Sequence, residues 1–105
     1  MRQKITENHN LNVQGHPTGG DTVGEGIEIR WQDGPLGRGE NRKAPNGAFV
    51  EGVIAAALGR LNFYQTKFPC RENALAITKL EEAIHWLDHR TTNREVQKME
   101  KTHTK

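Results

Sequence analysis

The sequence is poor in several features that would reveal a function at once. It has one cysteine, Cys70, so no disulfide can form within the chain and a reducing compartment is expected. Hydrophobic residues make up 33% of the 105 residues and aromatic residues 6%, which predicts a small core and segments that do not pack. No apolar run approaches the length of a membrane span, and the N-terminal segment lacks the apolar stretch of a signal peptide. We therefore expect one folded domain in the cytoplasm.

The charge balance and the missing catalytic motifs limit the classes of function that the sequence allows. Fifteen Lys and Arg against 13 Asp and Glu give a net charge of +2, which permits an anionic ligand without requiring nucleic acid. The sequence contains no phosphate-binding Walker loop, no GxSxG motif and no recognisable pair of nucleophile and base. We therefore predict a binding protein without a cofactor rather than an enzyme.

The N-terminal half changes composition near residue 27. Residues 1–26 are polar and glycine-rich and predict a flexible arm with at most one short strand, whereas residues 27–105 are expected to form a single domain. The stretch IEIRWQ, residues 27–32, alternates apolar and polar side chains, which predicts a half-buried strand. A second strand is expected near Leu36–Gly39, so that a small antiparallel sheet occupies residues 27–45.

After the strand region, apolar residues recur every three or four positions. This spacing predicts a helix over residues 46–67, with Asn46 as its N-cap. Pro69 ends that helix, and a second helix is expected over residues 71–94. The polar tail that follows, residues 95–105, either frays or extends this helix. The predicted apolar stripes comprise Val50, Val53, Ile54, Ala57, Leu61, Tyr64 and Phe68 in the first helix, and Ile77, Leu80, Ile84 and Leu87 in the second.

These elements predict an α+β fold in which the small sheet packs on a C-terminal two-helix hairpin. One or two strands and a hairpin cannot enclose a core alone, so we expect an obligate oligomer.

The second helix carries an amide, Asn73, near one end and two guanidiniums, Arg90 and Arg94, near the other. A helix rises about 1.5 Å per residue, so Asn73 and Arg90 are separated by roughly 25 Å along one helix axis. In an antiparallel pair of second helices from two chains, Asn73 of one chain approaches both arginines of the other, and two-fold symmetry produces two equal pockets. Phe63 lies outside the predicted stripe and on the same side of the turn as Asn73. A ring, an amide and two guanidiniums suit a purine nucleotide.

Simpler interpretations of the same residues stay open at this point. Phe63 can pack in the core, and the two arginines can offset the negative end of the helix dipole. His85 and His89 have a spacing that can bind zinc, but no third ligand accompanies them, so no metal site is predicted. Cys70 is expected to be a structural residue of the hairpin turn.

Four blocks of the sequence carry a resemblance to a known family: WQDGPL at 31–36, NGAFVEGVI at 46–54, RLNFYQ at 60–65 and CRENALAITKLEEAIHWLDHR at 70–90. They resemble the phage anti-Thoeris sponge family, small proteins that sequester the signalling nucleotide of a bacterial immune system. The last block is the most specific, because its polar positions match as well as its helical ones. The resemblance covers most of the chain after residue 26, and the segment before it gives no support.

The resemblance implies a function and a set of ligand-binding residues. In Thoeris defence, a TIR-domain enzyme converts NAD into glycocyclic ADP-ribose, and the sponge binds this signal without cleaving it in the cytoplasm of the infected bacterial host. The stacking aromatic of the family falls on Phe63, its amide on Asn73 and its two C-terminal arginines on Arg90 and Arg94. The pockets of the family form between protomers of a homodimer, and some members assemble as hexamers, which we expect here as a trimer of dimers.

The family is also similar to the phage sponges of the CBASS system, which bind cyclic di- and trinucleotides. This similarity implies a separate cyclic-oligonucleotide site, for which Arg38 and Lys67 are the candidates. The chain departs from the family at Thr92-Asn93-Arg94, where relatives often carry Arg-Asp-Arg, and it lacks the glycines that commonly precede a threonine in the family's tail.

Two functions of other classes compete with a sponge. A nucleic-acid-binding helical module would use the basic tail and would lose affinity steeply with salt. The acidic residues Glu81, Glu82 and Asp88 interrupt the basic ones and count against it. An enzyme that cleaves the signal would instead turn the ligand over and release an altered product.

Overall fold

The computed structural model describes residues 4–37 and 39–103, apart from the side chains of Asn41 and of residues 92–103. The chain divides into two compact units, the second of which begins at Val50. The first unit contains a three-stranded antiparallel sheet and the second contains two helices. The predicted fold class, α+β with an antiparallel sheet followed by a two-helix hairpin, is therefore confirmed.

Three strands form the sheet in the order β1-β2-β3. They are β1, Ile5–Leu11, β2, Pro17–Gly24, and β3, Ile27–Trp31. The central strand β2 pairs antiparallel with both neighbours. The predicted alternation of β3 is confirmed, since its first, third and fifth residues are half-buried and the two between them are exposed.

Two tight turns connect the strands. In the first, Asn12 Oδ1 accepts hydrogen bonds from the backbone N–H groups of Gln14 (2.8 Å) and His16 (3.1 Å), so one side chain organises the turn. In the second, Glu25 and Gly26 join the two strands, and Gly26 has a φ of 75°, which glycine adopts without steric strain. These turns reverse the chain twice before residue 31.

The prediction that residues 1–26 form a flexible arm is wrong for the segment 5–24, which contains β1 and β2. All seven residues of β1 are exposed, so this strand has no buried face to produce an apolar pattern. In β2, a Cβ added at Gly20 would collide with the carbonyl oxygen of Asn8 on β1. Close backbone pairing, rather than apolar burial, therefore forms this part of the sheet.

The expected second strand near Leu36–Gly39 is also wrong. The described residues there contain a 3₁₀ turn, Gly39–Asn41, and no regular strand. Gly37 and Gly39 have φ values of 80° and 56°, which take the backbone out of the extended conformation.

Asn46 does not cap the first helix. Its Oδ1 accepts from the backbone N–H of Asp33 at 2.8 Å, and its Nδ2 donates to the Asp33 carbonyl at 3.0 Å. Gln32 Oε1 accepts from the N–H groups of Asn46 (2.9 Å) and Gly47 (3.2 Å). Because this network holds the segment beside β3, the helix begins at Val50 rather than at residue 46.

The second unit is a helical hairpin of α1, Val50–Lys67, and α2, Arg71–His103. Half-buried residues recur at intervals of three and four on both helices, as expected of two helix faces that pack together. We call this set the seam. It comprises Glu51, Val53, Ile54, Leu58, Leu61 and Gln65 of α1, and Asn73, Ala76, Ile77, Leu80, Ala83, Ile84 and Leu87 of α2. The predicted stripe of the second helix is confirmed. In α1 the seam includes Leu58, which was not predicted, and leaves out Val50, Ala57 and Tyr64, while Phe68 lies after the helix ends.

A short connection, Phe68–Cys70, joins the helices and defines the turn end of the hairpin. Gln65 Oε1 accepts from the Cys70 N–H at 3.0 Å, and Gln65 Nε2 donates to the Cys70 carbonyl at 3.1 Å. The Cys70 thiol also caps α2, since its Sγ accepts from the backbone N–H of Asn73 at 3.4 Å. Cys70 thus contributes to the turn through its backbone and its side chain.

The second helix is longer than the predicted 71–94, since it continues to His103 and takes in most of the expected polar tail, residues 95–105. No glycine or proline follows Arg90, so nothing in the sequence interrupts the helical hydrogen bonds. Arg90 lies beside Glu51 near the beginning of α1, and the remainder of α2 extends past that point.

In the part of the chain that the structure describes, no apolar side chain is buried. On the hairpin, Phe68 is 77%, Trp86 61% and Leu75 52% exposed. An oligomer would cover such exposed apolar side chains. The obligate oligomer stays a prediction. Over its described residues, neither helix combines the length and the apolar character needed to cross a membrane.

Candidate ligand-binding site on the helical hairpin

Phe63 and Asn73 lie at the turn end of the hairpin. Phe63 is one helical turn before the end of α1, outside the seam, and 49% exposed. Within the single chain it therefore does not pack in a core. Asn73 is half-buried in the first turn of α2. Among the described residues, no hydrogen bond engages the side-chain amide of Asn73, so its donors and acceptor are available to a ligand.

Arg90 lies at the opposite, open end of the hairpin, where the chain enters α1. Its Nη2 is 3.4 Å from Glu51 Oε1, in an ion pair between two partly exposed side chains. Because α2 continues to His103, Arg90 is several turns away from the helix C-terminus. The dipole effect is confined to the last turn, so the alternative in which the arginines offset the negative helix end is wrong.

The backbone of Arg94 lies in α2, one turn after Arg90, whereas its side chain is outside the described part of the structure. The structure therefore brings the four predicted site residues together only as two pairs. Phe63 and Asn73 share the turn end, whereas the two arginines are neighbours on α2. Since Asn73 and Arg90 are on one continuous helix, roughly 25 Å separates them along its axis.

One further residue was missed by the sequence analysis. The guanidinium carbon of Arg60 lies 5.0 Å from the centroid of the Phe63 ring and 4.8 Å from that of the Tyr64 ring. The three residues occupy positions i, i+3 and i+4 of α1, a spacing at which side chains meet on one helix face. That spacing in RLNFY is the signal that could have identified Arg60.

The candidates for a second site stay untested. Arg38 lies outside the described residues, and Lys67 is the exposed last residue of α1. The imidazoles of His85 and His89 are stacked, with centroids 6.5 Å apart and an interplanar angle of 12°. No group of three or more metal-ligating side chains occurs among the described residues.

The first unit has a polar cavity of about 350 Å³ against β2 and β3. Its lining includes the carboxylates of Asp21 and Asp33 as well as the guanidinium of Arg30. Two carboxylates against one cation do not favour a diphosphate, because like charges repel it. The hairpin, which presents arginines and an exposed ring, fits an anionic nucleotide better.

Comparisons with known proteins point to the same hairpin. The family model of the Acb2/Tad1 hairpin domain matches residues 24–92, a range that contains Phe63, Asn73 and Arg90 and ends before Arg94. A protein of Bacillus phage SBSphiJ7 named Thoeris anti-defense 1 is 43% identical over 86 residues, which cover 81% of this chain and 58% of the relative. The chain therefore spans little more than half the length of that relative.

The match includes β3, the segment that leads to the hairpin, all of α1, and α2 as far as residue 92. It thus covers the elements that carry the candidate site, and it leaves out β1 and nearly all of β2. On the extent of this match and the identity to the phage protein, the chain belongs to the Acb2/Tad1 hairpin domain family.

Proposed function

We propose that the protein is a phage anti-defence sponge, which binds glycocyclic ADP-ribose in the cytoplasm of the infected host and thereby blocks Thoeris signalling. The observation that carries the proposal is the separation of the site residues into an aromatic–amide pair, Phe63 and Asn73, and an arginine pair at opposite ends of one hairpin. Family membership and the name of the phage relative support the choice of signal.

Each residue has a role that its chemistry suits. The exposed Phe63 ring stacks on the adenine, since aromatic faces bind bases in offset stacks. Asn73 offers both hydrogen-bond donors and an acceptor to the polar edge of the ligand. Arg90 and Arg94 bind the pyrophosphate, because a guanidinium donates two parallel hydrogen bonds to phosphate oxygens.

The complete pocket requires two protomers. An antiparallel pairing of α2 helices from two chains brings Asn73 of one protomer to Arg90 and Arg94 of its partner, and a two-fold axis repeats the pocket. The exposed Trp86 and Leu75 on α2 supply apolar surface for such a contact. We propose a homodimer as the binding unit, and a trimer of dimers as the larger assembly.

Sequestration needs no chemistry on the ligand. A phenyl ring and an amide neither donate nor accept protons at neutral pH, and a guanidinium stays protonated. None of the four proposed site residues is therefore a nucleophile or a general base. Removal of the signal depends on affinity and on the amount of protein.

Calorimetric titration with glycocyclic ADP-ribose tests the proposal. We expect tight binding of one ligand per chain, and chemically intact ligand after the complex is boiled. A cyclic trinucleotide, used as a second titrant, tests the proposed CBASS activity through a separate site. Absence of binding to glycocyclic ADP-ribose would overturn the proposal, and an altered ligand after boiling would establish an enzyme. Binding to duplex nucleic acid that falls steeply with salt would favour the nucleic-acid-binding module instead.

A further inference from the structure

Arg60 lies on α1, about two helical turns before its end, and its guanidinium contacts two aromatic rings. Its guanidinium carbon is 5.0 Å from the Phe63 centroid and 4.8 Å from the Tyr64 centroid, and the two ring centroids are 5.9 Å apart with an interplanar angle of 57°. A guanidinium within about 6 Å of a ring centroid is attracted by the ring quadrupole. Two rings therefore hold this cation in place beside the ring to which the base-stacking role has been assigned.

The charge of Arg60 has no carboxylate partner among the described residues. The ion pairs in that part of the chain involve Lys79 with Glu82 and Arg90 with Glu51, and His9 Nε2 lies 3.9 Å from Glu7 Oε1. Arg90 is thus partly neutralised by its own protomer, whereas Arg60 is not. Among the described residues, no hydrogen bond engages the Arg60 guanidinium, so its donors are available to an anion.

We infer that Arg60 is an additional ligand-contacting residue, which binds a phosphate oxygen of a nucleotide whose base stacks at Phe63 of the same protomer. This inference rests on the proposed function. In a nucleotide, the first phosphate is one ribose away from the base, so a cation that borders the stacked base is placed to meet that phosphate. The pocket then receives positive charge from both protomers: Arg60 comes with Phe63 and Asn73, and the α2 arginines come from the partner.

A purely structural role makes a different prediction. If Arg60 only stabilises α1 through its ring contacts, its loss lowers the melting temperature and leaves the affinity unchanged. If Arg60 contacts the phosphate, its loss weakens binding, and the difference from wild type shrinks as salt screens the charge contact. The salt dependence of the dissociation constant thus separates the two roles.

The test is calorimetric titration of the full chain with glycocyclic ADP-ribose at low and high salt. Arg60→Gln removes the charge and keeps a polar side chain, Arg60→Lys keeps the charge without the planar guanidinium, and Lys79→Gln removes one charge from another exposed position of the hairpin. We expect Arg60→Gln to weaken binding roughly ten- to a hundredfold at low salt, as for the loss of a charge-assisted hydrogen bond. Arg60→Lys should show a smaller loss, and Lys79→Gln should bind as wild type does.

Circular dichroism and the oligomeric mass of each variant establish that it is folded and assembled. If wild type binds and Arg60→Gln binds equally well, or loses the same factor at both salt concentrations, the role of Arg60 is overturned and the sponge proposal stands. If wild type itself does not bind, the proposed function fails and the inference fails with it.

Discussion

Two phenylalanines, Phe63 and Phe68, lie near the turn end of the hairpin, but only Phe63 belongs to the proposed pocket. Both are exposed, at 49% and 77%, so neither substitution to leucine removes a core side chain. We expect Phe63→Leu to weaken binding of glycocyclic ADP-ribose by about ten- to a hundredfold, because a stacked base contributes roughly 1–3 kcal/mol. Phe68→Leu is the matched control and should bind as wild type does. Equal affinities for wild type and Phe63→Leu, measured by calorimetry, would contradict the stacking role.

Substitution of glycine by alanine should have opposite effects on stability at two positions. A Cβ at Gly59 of α1 meets nothing within 4 Å in the described structure, whereas a Cβ at Gly20 of β2 collides with the Asn8 carbonyl. We expect Gly59→Ala to raise the free energy of unfolding by about 0.5–1 kcal/mol, since alanine is the better helix former. Gly20→Ala should lower it, because its φ of 137° is strained for alanine. Urea denaturation of both variants checks the pair, and a Gly59→Ala variant with lower stability or mass would show that this face of α1 is an interface.

At the scale of elements, an ion pair between Glu51, in the first turn of α1, and Arg90 of α2 connects the two helices. It is solvent-accessible, so Glu51→Gln should change the free energy of unfolding by less than about 1 kcal/mol. The same substitution should strengthen binding of glycocyclic ADP-ribose several-fold, because the carboxylate no longer competes for the guanidinium or repels the pyrophosphate. Glu82→Gln, which opens the exposed Lys79–Glu82 pair instead, is the control and should leave the affinity unchanged. Weaker binding by Glu51→Gln, measured by calorimetry, would show that Glu51 orients Arg90 for the ligand.

The elements that were predicted correctly are those whose burial produces a periodic apolar pattern. The alternation of β3 and the stripe of α2 both correspond to half-buried faces. By contrast, β1 is exposed at every position and β2 contains glycines that serve backbone packing, so neither carries that pattern. The sequence leaves the C-terminal part of α2 open between a frayed tail and a longer helix for a related reason: it is polar and extends past α1, where no described helix face imposes a period.

The sequence predicts the residues of the candidate site but not their electrostatics. The helical spacing that separates Asn73 from Arg90 follows from the sequence alone, since a helix has a fixed rise. That Glu51 neutralises Arg90, while Arg60 lies on two rings without a carboxylate partner among the described residues, depends on the packing of α1 against α2 and on rotamers. A sequence pattern reveals neither the packing of the helices nor the rotamers of these side chains.

At the scale of the whole molecule, the proposed pocket belongs to no single chain, and two inactive variants can test this. Asn73→Ala and Arg90→Ala should each abolish binding of glycocyclic ADP-ribose while the oligomer stays folded, because each removes one side of both pockets. In a mixed dimer, however, the intact Asn73 of one protomer faces the intact Arg90 of its partner. One of the two pockets is then complete, and the other lacks both residues.

Unfolding and refolding the two variants together, with random pairing, should therefore restore about one ligand per four chains, since about half of the dimers are mixed and each mixed dimer has one complete pocket. Calorimetry of the refolded mixture, with each variant refolded alone as the control, measures this stoichiometry. If Asn73 and Arg90 acted within one chain, every chain in the mixture would still lack one of them, and mixing would restore nothing. Restored binding with the wild-type dissociation constant at the reduced stoichiometry requires a site that two protomers share, because only the exchange of partners creates a complete set of residues.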